Sequence, residues 1–247
     1  MYALAQVLST ESADKVIRQQ SGLYLKNILF AKDSKVSAKA KAATSNDVTD
    51  GHLPLRGSLV AVANDRSSQV LEQNRQRWRS MVPTEQAQIK QLLLTVLNSP
   101  EVAARQTAAQ AIAEMGAIDL PSNAWPELLP ALLQNVTGNT PDEYKVNTLQ
   151  CLGYTCERLD YQDLEQSVTN NILTAIVDGL RADRPNNDVR HAAATALRNS
   201  LLFCRGNMEN KSERDMIMQQ ICEATQCTEG KVRAVAYECI VQVRSGL

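Results

Sequence analysis

The chain has 247 residues, with 26 basic against 27 acidic for a formal net charge of −1, and 44% hydrophobic residues but only 4% aromatic ones. Balanced charge supplies no global field toward nucleic acid or an anionic membrane surface, so neither is expected as a partner. No apolar run approaches the roughly 20 residues of a bilayer span, and Met1 leads into an amphipathic stretch, not a basic-then-apolar leader.

Residues 1–32 form a first two-helix unit, a short helix from Tyr2 to Leu8 and a longer one from Lys15 to Ala31 carrying Val16, Leu23, Leu25 and Ile28. Ser34 to Leu55 is rich in Ser, Ala, Lys, Asp and Thr, holds Gly51 and Pro54, and has no apolar stripe, so 33–66 is expected to be a disordered insertion. Lys32, Lys35, Lys39 and Lys41 read there as solvated charges, not a localisation signal. Ser67 to Ser80, with Val70, Leu71 and Trp78, is helical, which makes 67–83 a connecting helix.

In the second unit, 84–119, Thr84 is placed to cap a helix whose Ile89, Leu92, Leu93, Val96 and Leu97 form one apolar stripe. Ser99 is placed to cap its partner, with Pro100 at the first helical position. The third unit, 120–160, starts at Trp125-Pro126 and runs through Leu128, Leu129, Leu132, Leu133 and Val136, with a bend expected at Pro130. Thr140-Pro141-Asp142-Glu143 opens its partner with capping-box spacing. The fourth unit, 161–206, pairs Ile172 to Arg181 with a helix carrying Val189, Ala192, Ala193, Ala196 and Leu197, and Asn186 and Asn187 mark the turn. The fifth, 207–247, starts a helix at Ser212 and ends on a stripe of Val232, Val235, Ala236, Cys239, Ile240 and Val243.

Val102, Val146, Val189 and Val232 recur at spacings of 44, 43 and 43 residues, each opening an Ala-rich amphipathic segment. A two-helix period of this length falls in the window of HEAT and armadillo repeats, whose units bury their apolar sides only against neighbours. The expected fold is therefore all-α, an α-solenoid of about five HEAT repeats with two antiparallel helices each. Neither end exchanges its outward apolar face for a polar one, so the chain is expected to be a fragment of a longer array. The 86 residues from Val16 to Val102 are twice 43, but the composition between them favours a loop over a further helix pair.

Six cysteines form no CxxC pair and only His52 and His191 accompany them, so no metal is expected, and the thiols read as buried in a reducing compartment. Gly-rich phosphate loops, GxSxG and HExxH are all absent, and Glu213 and Asp215, two apart, point to different helix faces. The chain reads as a non-enzyme needing no cofactor, with a binding surface as its function. Asp14 with Arg18, Glu101 with Arg105 and Glu229 with Arg233 recur four apart where second helices begin, which reads as i,i+4 ion pairing or as charges facing a partner. Leu173, Thr174 and Val177 of unit four and Glu213, Met216 and Ile217 of unit five occupy equivalent places on neighbouring first helices. They are placed to line a shallow apolar groove on the outer surface that suits a protruding phenylalanine of a disordered partner, or to be ordinary interhelix packing.

Several runs go beyond a generic repeat: Gly22-Leu23-Tyr24-Leu25-Lys26-Asn27, Gln76-Arg77-Trp78, Asn123-Ala124-Trp125-Pro126-Glu127-Leu128-Leu129-Pro130, Ile172-Leu173-Thr174-Ala175-Ile176, Ser212-Glu213-Arg214 and Ile221-Cys222-Glu223-Ala224-Thr225-Gln226-Cys227. Through these, the chain resembles the importin-β branch of the karyopherin-β family of nuclear transport receptors, over nearly its whole length outside 34–70. The resemblance implies the amino-terminal portion of such a receptor, without its first repeat and everything after its sixth. It implies binding of the small GTPase Ran in its GTP form through second helices, with Lys26, Asn27 and Trp78 as the matching residues. It also implies a pocket for phenylalanine–glycine nucleoporins at Leu173, Thr174, Val177, Glu213, Met216 and Ile217. Met216 stands where the family carries an aromatic and Val177 where it carries isoleucine. An importin-α adaptor or cargo would bind later repeats, and the expected location is cytoplasm, nucleus and nuclear pore. A HEAT-repeat scaffold or adaptor outside nuclear transport is the alternative that periodicity alone leaves open.

Overall fold

Apolar stripes of helical period, broken by short turns rich in Pro, Gly and Asn, dictate a chain of helical hairpins. In the computed structural model, which describes residues 1–29, 69–70 and 72–245, these stretches become α1 (Tyr2–Ser9), α2 (Lys15–Leu29), α3 (72–79), α4 (Pro83–Val96), α5 (Val102–Asp119), α6 (Leu128–Thr137), α7 (Asp142–Arg158), α8 (Gln166–Leu180), α9 (Asn187–Ser200), α10 (Arg205–Glu209), α11 (Lys211–Ala224) and α12 (Gly230–Arg244). Of the 67–83 connecting segment, 69–70 and 72–79 are helical, 80–82 turn the chain and Pro83 already belongs to α4, while the 33–66 expectation lies outside the described residues.

The second helices α2, α5, α7, α9 and α12 pack each on the next as one layer; the first helices form the other, with α1 packed on α4, α6 on α8 and α8 on α11. Small residues bring the second helices close. A β-carbon on Gly153 of α7 would sit 2.8 Å from Ala196 Cα of α9, and one on Gly22 of α2 would sit 2.6 Å from Thr107 Cβ of α5. Between such stripes Leu25, Ile112, Met115, Leu149, Leu152 and Leu197 are buried, each contributing on the order of 2 kcal/mol of transfer free energy. Stability is thus spread along neighbour interfaces.

Helix starts depart from the sequence expectations where a cap was assigned too early or too late. The side-chain caps are Asp14, Asn186 and Asn210, the last placing the start of α11 one residue before the expected Ser212; each side-chain oxygen accepts two backbone N–H groups, as with Asn186 Oδ1 from Asp188 N (2.8 Å) and Val189 N (3.3 Å). Thr84 lies inside α4, which begins at Pro83; Ser99 stands two residues outside the Glu101 cap of α5; and Thr140 Oγ1 donates to Asn135 O while Pro141 holds the cap position of α7. Pro130 is the third residue of α6, among the N–H groups that have no intrahelical acceptor, so the expected bend there has no cause.

Counted from the caps Glu101, Pro141, Asn186 and Glu229, Val189 and Val232 both fall at the third helical position and are buried. Val102 falls at the first and is 50% exposed, Ala104 taking its core place, and Val146 falls at the fifth. The period is real but the valines are in register only in the last two units.

The arginines four residues after the caps are not i,i+4 partners of the acids. Arg18 is buried and donates through Nε to Leu8 O (3.0 Å), Arg105 through Nη1 to Ser99 O (2.6 Å), Arg190 through Nε to Leu180 O (3.4 Å), and Arg233 through Nη1 to Cys227 O (2.7 Å). Each guanidinium turns back onto carbonyls at the end of its unit's first helix or in the turn after it, groups the helix itself leaves without donors. Arg18 also reaches Ser99 Oγ (2.9 Å) and Arg190 reaches Cys227 Sγ (3.0 Å), tying each unit to the following one. The acids are used otherwise: Asp14 caps α2, and Glu101 pairs with Lys15 of the preceding unit at 2.9 Å. Facing a partner is equally excluded for Arg18 and Arg105, which are buried.

Among the described residues no helix is long and apolar enough to cross a membrane, and no group of three His, Cys, Asp or Glu side chains is arranged to hold a metal ion. Cys151, Cys156, Cys204, Cys227 and Cys239 are buried and free, and Cys222 is exposed.

Candidate functional site

Two junctions in the first-helix layer are built differently, and the contrast locates the site. Between α4 and α6 the space is filled by side chains. Trp78 of α3 is fully buried and donates through Nε1 to Asp119 Oδ1 (2.9 Å), and Trp125, just before α6, is buried beside it. The left-handed backbone at Asn123 (φ 54°) turns the chain sharply after α5 and brings Trp125 into the core, a conformation asparagine tolerates better than most residues. Lys90 of α4 reaches into this box: its Nζ lies 2.7 Å from Asp119 Oδ2, donates to Ala124 O (2.8 Å), and sits 5.8 Å and 5.3 Å from the Trp78 and Trp125 ring centroids. The Lys90–Asp119 contact is ionic, off the direction of a hydrogen bond.

Between α8 and α11 the corresponding space is open. A cavity of about 700 Å³ lies there, its walls made by Leu173, Thr174 and Val177 of α8 and by Met216, Ile217 and Gln220 of α11. Leu173 and Ile217 form the buried floor, Val177 is half-buried, and Met216 is 62% exposed and overhangs the mouth. Thr174 donates its hydroxyl to Asn170 O (2.8 Å). Glu213 stands at the end nearest the start of α11. All six residues of the expected groove therefore meet around one cavity.

The cavity has a polar frame that carries no mark in the sequence. At one end buried Asn207, from the short α10, donates through Nδ2 to Asn170 Oδ1 (2.7 Å) and to Glu213 Oε2 (2.6 Å), and accepts from Gln166 Nε2 (3.1 Å). Every polar atom of that amide is satisfied, so it fixes Glu213 and closes the cavity end. At the other end Arg181 pairs with Asp183 (2.8 Å), while Asp178 is held by Arg184. Hydrogen bonding and charge from Asp183 hold the Arg181 guanidinium above its ordinary pKa, and Arg181 in turn holds the Asp183 carboxyl below the usual range. Asn207 had no sequence signal, because α10 has no counterpart in the other units.

The three residues matched to Ran binding are separated by burial. Asn27 is exposed at the end of α2, and Lys26 beside it is half-buried, its Nζ donating to Gln110 Oε1 of α5 (3.3 Å). Glu114, one turn on, pairs with Arg158 of α7 (3.0 Å); burial raises its pKa, and the charges of Arg158 and Lys26 oppose that rise. These groups form a charged row across the second helices. Trp78 is not part of it: with 0% exposure and its one donor committed to Asp119, its ring cannot contact a partner. The family resemblance implies Trp78 as a Ran-binding residue, but its ring fills a core gap, so any part it takes in binding runs through the packing that it supports.

No protein-family model matches the chain. It is 35% identical over 243 residues to importin subunit beta-1 of Schizosaccharomyces pombe, covering 98% of this chain and 24% of that protein. It is 40% identical over 193 residues to the Arabidopsis thaliana protein of the same description, covering 78% of this chain and 22% of that one. The chain is an importin-β homologue. Solved importin-β structures superimpose on nearly all of it: Kap95p, whose binding induces the switch loops of RanGDP to adopt the GTP-bound conformation, matches at TM-score 0.81 and 34% identity over 99% of this chain and 25% of that one. Kap95 in complex with Nup1 matches at TM-score 0.78 and 34% identity, with the same coverage. The chain spans about a quarter of the length of the importin-β relatives it matches. The α-solenoid of HEAT repeats is the fold they share, and the unrelated-scaffold alternative finds no support among these relatives.

Proposed function

We propose that this chain is the nucleoporin- and Ran-facing portion of an importin-β-type nuclear transport receptor, working between cytoplasm and nucleus at the nuclear pore. The observation that carries the reading is the cavity between α8 and α11. It is open, has an apolar floor and polar ends, and in volume it takes one aromatic side chain with neighbouring backbone. A phenylalanine entering it would meet Leu173, Val177 and Ile217 below and the flexible, polarizable Met216 above. Thr174 and Glu213 at its edges would take hydrogen bonds from the peptide backbone around the ring. A single seat of this kind gives weak, fast exchange, and repeats supply avidity. That a Kap95 structure with Nup1 superimposes on this chain supports the same reading.

The second arm is Ran in its GTP form on the second-helix layer, at Asn27 and Lys26 with the charged row beyond them, supported by the likeness to Kap95p with Ran. Binding there would be coupled to the curvature of the array, because Lys26 and its neighbours are themselves interhelix contacts. The test is retention on an immobilised phenylalanine–glycine repeat peptide, with a serine–glycine peptide as control. Wild type should be retained on the first alone, and Val177→Asp should lose it; equal retention of the two proteins, or of one protein by the two peptides, overturns the assignment. For the other arm, greater recovery with GTP-loaded than with GDP-loaded Ran is expected, and equal recovery refutes it.

A further inference from the structure

Charge at the ends of the α8/α11 cavity is unbalanced, and this gives the site a preference beyond the aromatic ring. Four carboxylates line it, Asp178, Asp183, Glu213 and Glu223, against one guanidinium, Arg181. Asp183 is neutralised by Arg181, and Asp178 by Arg184 from outside the lining. The two glutamates of α11 are held by amides instead: Glu213 accepts from Asn207 and Asn210, and Glu223 accepts from Gln219 and Gln220. Amide donors orient a carboxylate without cancelling its charge. Among the described residues neither glutamate has a salt-bridge cation, and Arg181, the guanidinium of the lining, is already committed to Asp183.

Building on the phenylalanine seat proposed above, we infer that this site selects segments whose aromatic residue is flanked on both sides by lysine or arginine, with Glu213 and Glu223 as the specificity-determining residues. Ten residues apart on α11, the two lie about 15 Å from one another along the helix axis. An extended peptide covers that span in about five residues. A ring seated over Leu173 and Ile217, midway, therefore brings residues two or three positions before and after it to the two carboxylates. Acidic flanks would meet the same carboxylates and be repelled. The other apolar junction offers no such frame, because Lys90 occupies it.

The test uses the whole chain and three labelled peptides of equal length, each with one central phenylalanine–glycine pair and with lysine, serine or glutamate two and three positions away, in fluorescence polarisation. At about 50 mM salt the lysine-flanked peptide should bind about tenfold more tightly than the glutamate-flanked one, the serine-flanked peptide lying between them, and at about 500 mM the spread should shrink to about twofold. In Glu213→Gln/Glu223→Gln the lysine-to-glutamate ratio should fall to about twofold already at low salt, and Glu223→Gln alone should give an intermediate ratio. Equal binding of lysine- and glutamate-flanked peptides by wild type, or an undiminished ratio in the double variant, overturns the inference while leaving the seat intact. Failure of the serine-flanked peptide to distinguish wild type from Val177→Asp overturns the seat itself, and the inference with it.

Discussion

The α4/α6 and α8/α11 junctions solve the same problem in opposite ways. First helices in a HEAT array are farther apart than the small-residue second helices, so each junction leaves space that must be filled or left open. At the first, two tryptophans and the ion pair of Lys90 with buried Asp119 occupy it; at the second, a cavity remains with a buried apolar floor and an open mouth. Identical architecture thus yields a fastener in one place and a docking site in the other, and the choice is made by a few side chains that do not follow the repeat.

If the first junction is structural, damage there should act on stability most. Trp78→Ala removes a ring with no exposure and the indole N–H that Asp119 accepts, and should cost about 4 kcal/mol in urea unfolding. Lys90→Met keeps the volume but leaves Asp119 buried without its cation, for a loss of about 3 kcal/mol by the same measurement. A loss below about 1 kcal/mol in both would dissolve the contrast between the junctions. Filling the second junction should have the opposite profile. Val177→Trp places a ring in the cavity, should change unfolding free energy by less than about 1 kcal/mol, and should weaken phenylalanine–glycine peptide binding at least about tenfold in polarisation assays.

How much of this was readable beforehand differs between the two places for a physical reason. Helix stripes depend on local period, so α4, α8 and α9 were legible, as was the meeting of Leu173, Val177, Met216 and Ile217 once two first helices are set side by side. What a residue does across a gap depends on groups that carry no sequence mark. Arg18 and Arg105 bind backbone carbonyls, which any sequence supplies, so the acids four residues earlier drew the attention instead. The burial of Trp78 carries no local mark, because its partner, Asp119, is forty-one residues away at the end of another helix. Asn207 frames the cavity from a helix that the other units lack.

The smallest effect concerns the thiols. Burial pushes Cys151, Cys204 and Cys239 up to about 12 and Cys156 upward as well, whereas Cys222 is exposed on α11 away from the cavity lining. Because the thiolate is the reactive form, iodoacetamide at about pH 8 should label Cys222 alone under native conditions, seen by mass spectrometry, with peptide binding unchanged. Rapid labelling of Cys151, Cys156 or Cys239 would mean that the second-helix layer opens far more readily than its packing implies.

The most direct test of the open junction is methyl NMR during titration of the chain with a phenylalanine–glycine peptide. Ring current from a phenylalanine over the cavity floor should shift the methyl signals of Leu173, Val177, Met216 and Ile217, and leave those of Met81 and Leu93 at the filled junction in place. Shifts spread over both junctions, or none at these four residues while the peptide binds, would contradict the account.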